Sequence, residues 1–92
     1  MDRHEQIQNI KKLEADFINT IEGTIKDKYL NQLFASYKKT IHDIAECYKN
    51  PAYSFSESKQ CAQNLMTKYL SKEKNFEDLF NHYEVLLDLI VN

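Results

Sequence analysis

Val85-Leu86-Leu87-Asp88-Leu89-Ile90-Val91 is the stretch that decides the fold of this 92-residue chain. Six of its seven residues are apolar, and it closes a helical stripe that begins at Phe76. A surface helix on a small monomer needs one apolar face, whereas this helix is apolar nearly all round. We therefore expect it to be either the central element of a helical bundle or part of an interface with a partner.

Turn-forming residues are scarce, because the chain contains one Gly and one Pro. A sheet protein of this size needs turn residues about every eight to twelve positions. The composition therefore predicts an all-α fold. A chain this short supports one hydrophobic core, so we expect residues 1–92 to form a single domain.

Apolar residues that recur every three or four positions predict four helices, over about 2–22, 25–49, 54–70 and 75–91. Gly23 offers a stop, and Thr24 with Asp27 resembles a capping box that restarts a helix. If Gly23 only bends the first pair, three helices result. Asn50-Pro51 ends the second long helix. The links are short, which predicts an antiparallel up-and-down bundle.

Two further helix starts carry capping residues. Ser54 precedes the third predicted helix with Glu57 at the reciprocal position, and Asn75 precedes the last with Asp78 in its third position. The segment 71–74 between these helices predicts a short polar turn.

The net charge and the first residues of the chain indicate which class of partner and which cellular compartment to expect. The net charge is −2, and residues 75–92 contain four acids and no Lys or Arg, which argues against nucleic acid. No apolar run reaches the roughly 20 residues that span a bilayer, and the polar first residues lack a signal-peptide core.

Two cysteines, Cys47 and Cys61, favour a reducing cytoplasm. We expect both to be small buried hydrophobes, with a disulfide between two adjacent helices as the alternative.

Spacings that carry chemistry are missing. The pairs His42/Glu46 and Asp78/His82 lie one turn apart, but no Glu-x-x-His, His-Glu-x-x-His or Cys-x-x-Cys accompanies them. A nucleophile elbow and a glycine-rich phosphate loop are also absent from the sequence. We therefore predict no metal, no cofactor and no enzymatic activity.

One histidine supports a catalytic-class alternative, a phosphotransfer module that uses His42. Lys38 lies one turn before it and Lys39 is also near, so both could neutralise a phosphate. The acids Asp43 and Glu46 follow and would repel that phosphate.

The aromatic residues indicate an interface. Tyr48 and Tyr53 flank the link after the second helix, and Phe55 follows directly. Tyrosine combines an apolar ring with a polar tip, so this cluster suits either a protein interface or a cover for the bundle end. With the last helix added, the predicted partner-binding residues are Tyr48, Tyr53, Phe55, Tyr83, Val85, Leu89 and Val91.

From Tyr29 to Val91 the order of features resembles the small immunity proteins that protect producers of class II bacteriocins. The shared features are an amphipathic helix ending at Tyr48, a Pro-containing link, a helix with Leu65-Met66 and Tyr69-Leu70, a polar turn and a Leu-rich last helix. The resemblance implies a non-enzymatic antiparallel four-helix bundle that acts at the inner face of the membrane.

The leading prediction is a cytoplasmic, non-catalytic bundle that binds another protein, and most sharply an immunity-type protein that neutralises a toxin or its receptor complex. A small secretion chaperone or adaptor that presents the last helix to a secreted client is the second interpretation. The third is a homodimer in which Val85, Leu89 and Val91 pack against their symmetry mates.

Overall fold

The computed structural model describes residues 2–70 and 73–92, which contain five α-helices. They are α1 (Arg3–Thr24), α2 (Lys28–Ser36), α3 (Lys38–Lys49), α4 (Phe55–Leu70) and α5 (Glu77–Val91). Within these residues there is no strand, so the predicted all-α fold class is confirmed. The count of five differs from the four or three helices predicted. In the same ranges, no helix has both the length and the apolar character that crossing a bilayer requires.

The first break lies after Gly23 rather than at it. Helix α1 runs through Gly23 and ends at Thr24, whose hydroxyl donates to the carbonyl oxygen of Thr20 at 2.7 Å. Asp27 caps α2 instead, because its carboxylate accepts from the amide of Leu30 at 2.9 Å. The predicted Thr24–Asp27 capping box is therefore wrong, although two separate helices do form here.

A second break, at Tyr37, divides the helix predicted over 25–49 into α2 and α3. The Tyr37 amide donates to the carbonyl oxygen of Phe34 at 2.9 Å, which tightens the turn. Its ring packs edge-on against Phe76 and Phe80, with centroids 6.1 and 6.0 Å apart. Neither Gly nor Pro occurs between residues 28 and 49. The break therefore coincides with a tertiary contact that helical periodicity does not reveal.

Helix α3 is the central element, since it packs against each of the other four helices. Half of its twelve residues are buried: Thr40, Ile41, Ile44, Ala45, Cys47 and Tyr48. Helix α5 was expected to be either the central element or part of an interface. It packs against α1, α3 and α4. It buries Phe80, Tyr83 and Leu87 but leaves Val85 and Leu89 exposed.

Polar contacts show which helix ends lie together. Arg3, at the start of α1, donates to the carbonyl oxygen of Tyr48 near the end of α3 at 2.8 Å. At the other end, Lys38 of α3 pairs with Glu22 of α1 at 2.8 Å. The start of α1 is therefore next to the end of α3.

Aromatic rings fill much of the core. Phe17 of α1 stacks on Tyr83 of α5 with centroids 4.5 Å apart, and Phe34 of α2 meets Phe76 edge-on at 5.6 Å. Burial of one such ring contributes on the order of 3 kcal/mol. These contacts join α1 and α2 to the segment that contains α5.

The start of α5 differs from the prediction. Phe76 occupies the capping position without a side-chain hydrogen bond, and it is buried. The Asn75 amide donates to a Glu73 carboxylate oxygen at 3.0 Å, so the predicted Asn75 cap is wrong. Burial of the Phe76 ring sets this start instead of a polar cap. Residues 71 and 72 of the predicted polar turn lie outside the described residues.

Candidate protein-binding surface

A polar cluster joins α3, α4 and α5 at one end of the molecule. The Tyr48 hydroxyl donates to one Asp88 carboxylate oxygen at 2.5 Å, and Lys59 contacts the other at 2.6 Å. Lys59 also reaches Glu84 at 3.0 Å. Two of the four acids of residues 75–92 are therefore paired with a lysine of α4. The remaining two, Glu77 and Asp78, are exposed in the first turn of α5, where Glu77 lies 3.8 Å from Lys74.

The environment of this cluster shifts two pKa values upward. Burial and the hydrogen bond to Asp88 raise the pKa of the Tyr48 hydroxyl far above its usual value. Hydrogen bonds to Asp88 and Glu84 raise the pKa of Lys59. The cluster therefore contains a neutral tyrosine and a protonated lysine at physiological pH.

Val85 and Leu89 are the exposed apolar residues of α5, and we call them the α5 stripe. They lie four positions apart, so their side chains share one helix face. Val85 is 53% exposed and Leu89 is 73% exposed. Each follows, by one residue, an acid that contacts Lys59, so the α5 stripe lies beside the polar cluster.

The segment 50–57 forms a corner between α3 and α4, which we call the α3–α4 corner. The predicted Ser54–Glu57 capping box is present: the Ser54 amide donates to the Glu57 carboxylate at 3.0 Å, and the Glu57 amide to the Ser54 hydroxyl at 3.2 Å. The Asn50 side chain accepts from the Ala52 amide at 2.9 Å. These bonds fix the backbone from which Tyr53 and Phe55 project.

Tyr53 and Phe55 are 40% and 38% exposed, so they keep an accessible aromatic surface. Phe55 precedes Lys59 by one helical turn, and Lys59 contacts Asp88 close to the end of α5. The α3–α4 corner and the α5 stripe therefore lie at the same end of the molecule, with the polar cluster beside both.

The other three predicted partner-binding residues are placed differently. Tyr48 and Tyr83 are buried, and the Tyr83 hydroxyl donates to the carbonyl oxygen of Ile41 at 3.3 Å. Neither ring can contact a partner without leaving the core, which corrects that part of the prediction. Val91 is half-buried and packs against the core.

Sequence reasoning missed two exposed tyrosines. Tyr29, at the start of α2, is 69% exposed, and Tyr69, near the end of α4, is 48% exposed. Both fit the apolar stripes of their predicted helices. Helix α2, which contains Tyr29, is separated from α3 by the break at Tyr37, whereas the predicted stripe ran through both. No local signal in the sequence marks that break.

Cys47 and Cys61 form a disulfide between α3 and α4, with Cα atoms 5.8 Å apart. The bridge replaces the two independent buried thiols that we expected and agrees with the alternative. Cys47 is buried, whereas Cys61 is half-buried. Both cysteines line a groove of about 310 Å³ that Tyr53 and Leu65 also line.

The geometry around His42 does not favour phosphotransfer. Its Nδ1 lies 3.0 Å from a Glu14 carboxylate oxygen, and its Nε2 lies 3.4 Å from Glu46. The two lysines expected to help are paired elsewhere, Lys38 with Glu22 and Lys39 with Asp43. Carboxylates at both ring nitrogens would repel an incoming phosphate.

Metal ligands do not converge in the described ranges 2–70 and 73–92, where no group of three or more His, Cys, Asp or Glu side chains is placed to hold an ion. Glu14 lies next to Nδ1 of His42 and Glu46 next to Nε2, so the three side chains do not point at one common metal position.

An open groove of about 440 Å³ between α4 and α5 combines apolar Met66 and Phe80 with polar side chains.

Comparison with known proteins adds no identification. No protein family, no curated protein and no solved structure matches this chain. The resemblance to bacteriocin immunity proteins therefore stays a prediction.

Proposed function

We propose that this chain is a non-enzymatic, protein-binding helical bundle, and in its sharpest form an immunity-type protein that neutralises a toxin or the complex a toxin targets. The observation that carries the proposal is the α5 stripe. Single exposed apolar residues are ordinary on a protein surface. Two on adjacent turns, with two half-exposed aromatic rings at the same end of the molecule, make a patch of the kind that partners cover.

For the fold, the proposal is an antiparallel bundle in which α2 and α3 act as one kinked rod. The contacts of Arg3 and Lys38 support opposite directions for α1 and α3. The pairing of Cys47 with Cys61 supports the same relation for α3 and α4, because the link between them is short.

The partner on this surface is a different protein with basic residues around an apolar centre. Glu77 and Asp78 are exposed at the start of α5, and residues 75–92 contain no Lys or Arg. Electrostatic complementarity therefore favours a partner that brings Lys or Arg to this helix. Burial of the α5 stripe then supplies the apolar part of the binding free energy.

A second copy of the chain fits less well. Two α5 helices face to face would bring together the exposed Glu77 and Asp78 of both copies, of which only Glu77 lies near a lysine, Lys74 at 3.8 Å. Like charges placed together oppose association. A homodimer through Val85, Leu89 and Val91 is therefore an outcome that the experiments must distinguish.

We place the site of action in the cytoplasm, at or near the inner membrane face, as the resemblance implies. A bridge between Cys47 and Cys61 is compatible with that compartment if it forms transiently, because cytosolic disulfides of mesophiles are usually transient and catalytic or redox-sensing. A permanently bridged chain would instead belong to an oxidising compartment.

The test uses toxin tolerance. Expression of the chain in a sensitive cell is expected to protect against the toxin encoded beside its gene. Leu89→Lys is expected to abolish protection, because it places a charge in the apolar contact and repels a basic partner. Tyr29→Lys is the matched control. Tyr29 is 69% exposed and Leu89 is 73% exposed, and Tyr29 lies on another helix.

The control must also show that both variants fold. Equal helix content and equal thermal midpoints for both variants would assign the loss of protection to the surface. Retention of protection by Leu89→Lys would contradict the proposal, as would equal loss in both variants. A concentration-dependent dimer in sedimentation, abolished by Leu89→Lys, would replace the proposal by the homodimer.

A further inference from the structure

The disulfide and one aromatic residue of the proposed binding surface share a groove. Tyr53 and Leu65 line it together with both cysteines, and the acids Asp43 and Glu46 are also in its wall. The bridge closes a loop that contains the whole α3–α4 corner, with a sequence separation of 14. Any change at the bridge therefore acts on the segment that carries Tyr53 and Phe55.

We propose that the Cys47–Cys61 bridge is a redox switch of the α3–α4 corner: the oxidised chain holds Tyr53 and Phe55 in place, and a dithiol reductant releases them. This inference rests on the proposed protein-binding function for its biological meaning. Its physical part, the release of the corner, depends on the structure alone.

Access decides which sulfur a reductant attacks. Cys61 is half-buried, whereas Cys47 is only 4% exposed. A thiolate of the dithiol attacks the Cys61 sulfur, forms a mixed disulfide and breaks the bond to Cys47, which leaves as a thiolate and takes up a proton. The second thiol of the reductant then releases Cys61 as a thiolate, which is protonated. The bridge gains two electrons and two protons, and the dithiol is oxidised to its disulfide.

Other contacts retain the helices when the bridge opens. Six residues of α3 are buried, and the Tyr48–Asp88–Lys59 contacts join α3, α4 and α5 independently of sulfur. The corner itself is held by short-range bonds, such as those between Ser54 and Glu57 at an exposed site. Reduction should therefore loosen the corner before it loosens the bundle.

The test is amide hydrogen exchange of the full chain, oxidised and after dithiothreitol. We expect exchange in residues 50–57 to accelerate about tenfold on reduction, while exchange in α1 and α5 stays unchanged. The Cys47→Ser/Cys61→Ser variant should show the fast corner without reductant and no response to it. That variant should also bind the purified partner more weakly than the oxidised chain does in vitro.

Two results would overturn the switch. Unchanged exchange in residues 50–57 after complete reduction would show that the corner is held without the bridge. Equal acceleration in every helix would make the bridge a general staple of the fold. Because the exchange experiment uses the chain without a partner, its failure leaves the Leu89→Lys test of the proposed function unaffected.

Discussion

Replacing Asp88 with alanine should destabilise the chain, because Asp88 contacts both Tyr48 and Lys59 in the polar cluster. Asp88 accepts from the Tyr48 hydroxyl at 2.5 Å and pairs with Lys59 at 2.6 Å. Its side chain is 20% exposed, so water replaces it poorly. Asp88→Ala leaves a buried hydroxyl without its partner and an ammonium group with Glu84 alone.

The magnitude follows from these two contacts. Loss of the hydrogen bond between Tyr48 and Asp88 costs about 1.5–3 kcal/mol, because the acceptor is charged and the buried hydroxyl is left unpaired. The Lys59 pair adds about 0.5 kcal/mol, because the lysine is 36% exposed and solvent screens it. We therefore expect Asp88→Ala to lower the free energy of unfolding by about 2–3 kcal/mol.

Urea unfolding followed by circular dichroism measures this change, and a double-mutant cycle with Tyr48→Phe isolates the hydrogen bond. Tyr48→Phe should cost about 1 kcal/mol, since it removes the donor without leaving it unpaired. In that background Asp88→Ala should cost about 1–2 kcal/mol less than in the wild type. Additive costs would refute the reasoning, as would a cost of Asp88→Ala within about 0.5 kcal/mol of zero.

Three further predictions concern other parts of the fold. Gly23→Ala should raise the free energy of unfolding by about 0.5–1 kcal/mol in urea unfolding, because Gly23 is helical and an added Cβ has nothing within 4 Å; destabilisation would place Gly23 outside α1. Ser54→Ala should cost about 1 kcal/mol by the same assay, through loss of the capping box, and a neutral result would contradict that role. Burial raises the pKa of Tyr48 and Tyr83 above 10, their value when unfolded. Their contribution to stability is therefore complete below pH 10 and falls as pH rises further. Absorbance at alkaline pH should show that both tyrosines ionise only as the helices melt. Ionisation of either tyrosine in the folded chain would contradict this prediction.

Local sequence patterns predicted well the features that local chemistry determines. The near-absence of Gly and Pro, with apolar spacings of three and four, was enough for an all-α fold. The Ser54–Glu57 capping box formed as predicted because both partners lie within one turn. Thr24 and Asp27 also place a hydroxyl residue three positions before an acid, but there the threonine bonds back into α1 and the aspartate caps alone.

Features that depend on tertiary contacts escaped prediction. The helix break at Tyr37 accompanies ring packing against Phe76 and Phe80, some forty residues away in sequence. Two residues of the candidate site, Tyr48 and Tyr83, are buried for a related reason: they satisfied both the apolar stripes and the aromatic pattern of an interface. The burial of both rings distinguishes the two interpretations. Burial depends on how the whole chain packs, so a local sequence pattern does not reveal it.

The α5 stripe as a binding surface for a different protein is tested most directly by site-specific photocrosslinking in the native cell. A photoreactive residue at position 89 should yield one product, joined to a protein that carries Lys or Arg around an apolar patch. Leu89 and Tyr29 are comparably exposed, so position 29 is the matched control and should not give that product. The purified partner should bind Leu89→Lys about 100-fold more weakly than the wild type. A product of twice the 10.9 kDa chain mass, or equal labelling at both positions, would contradict the account.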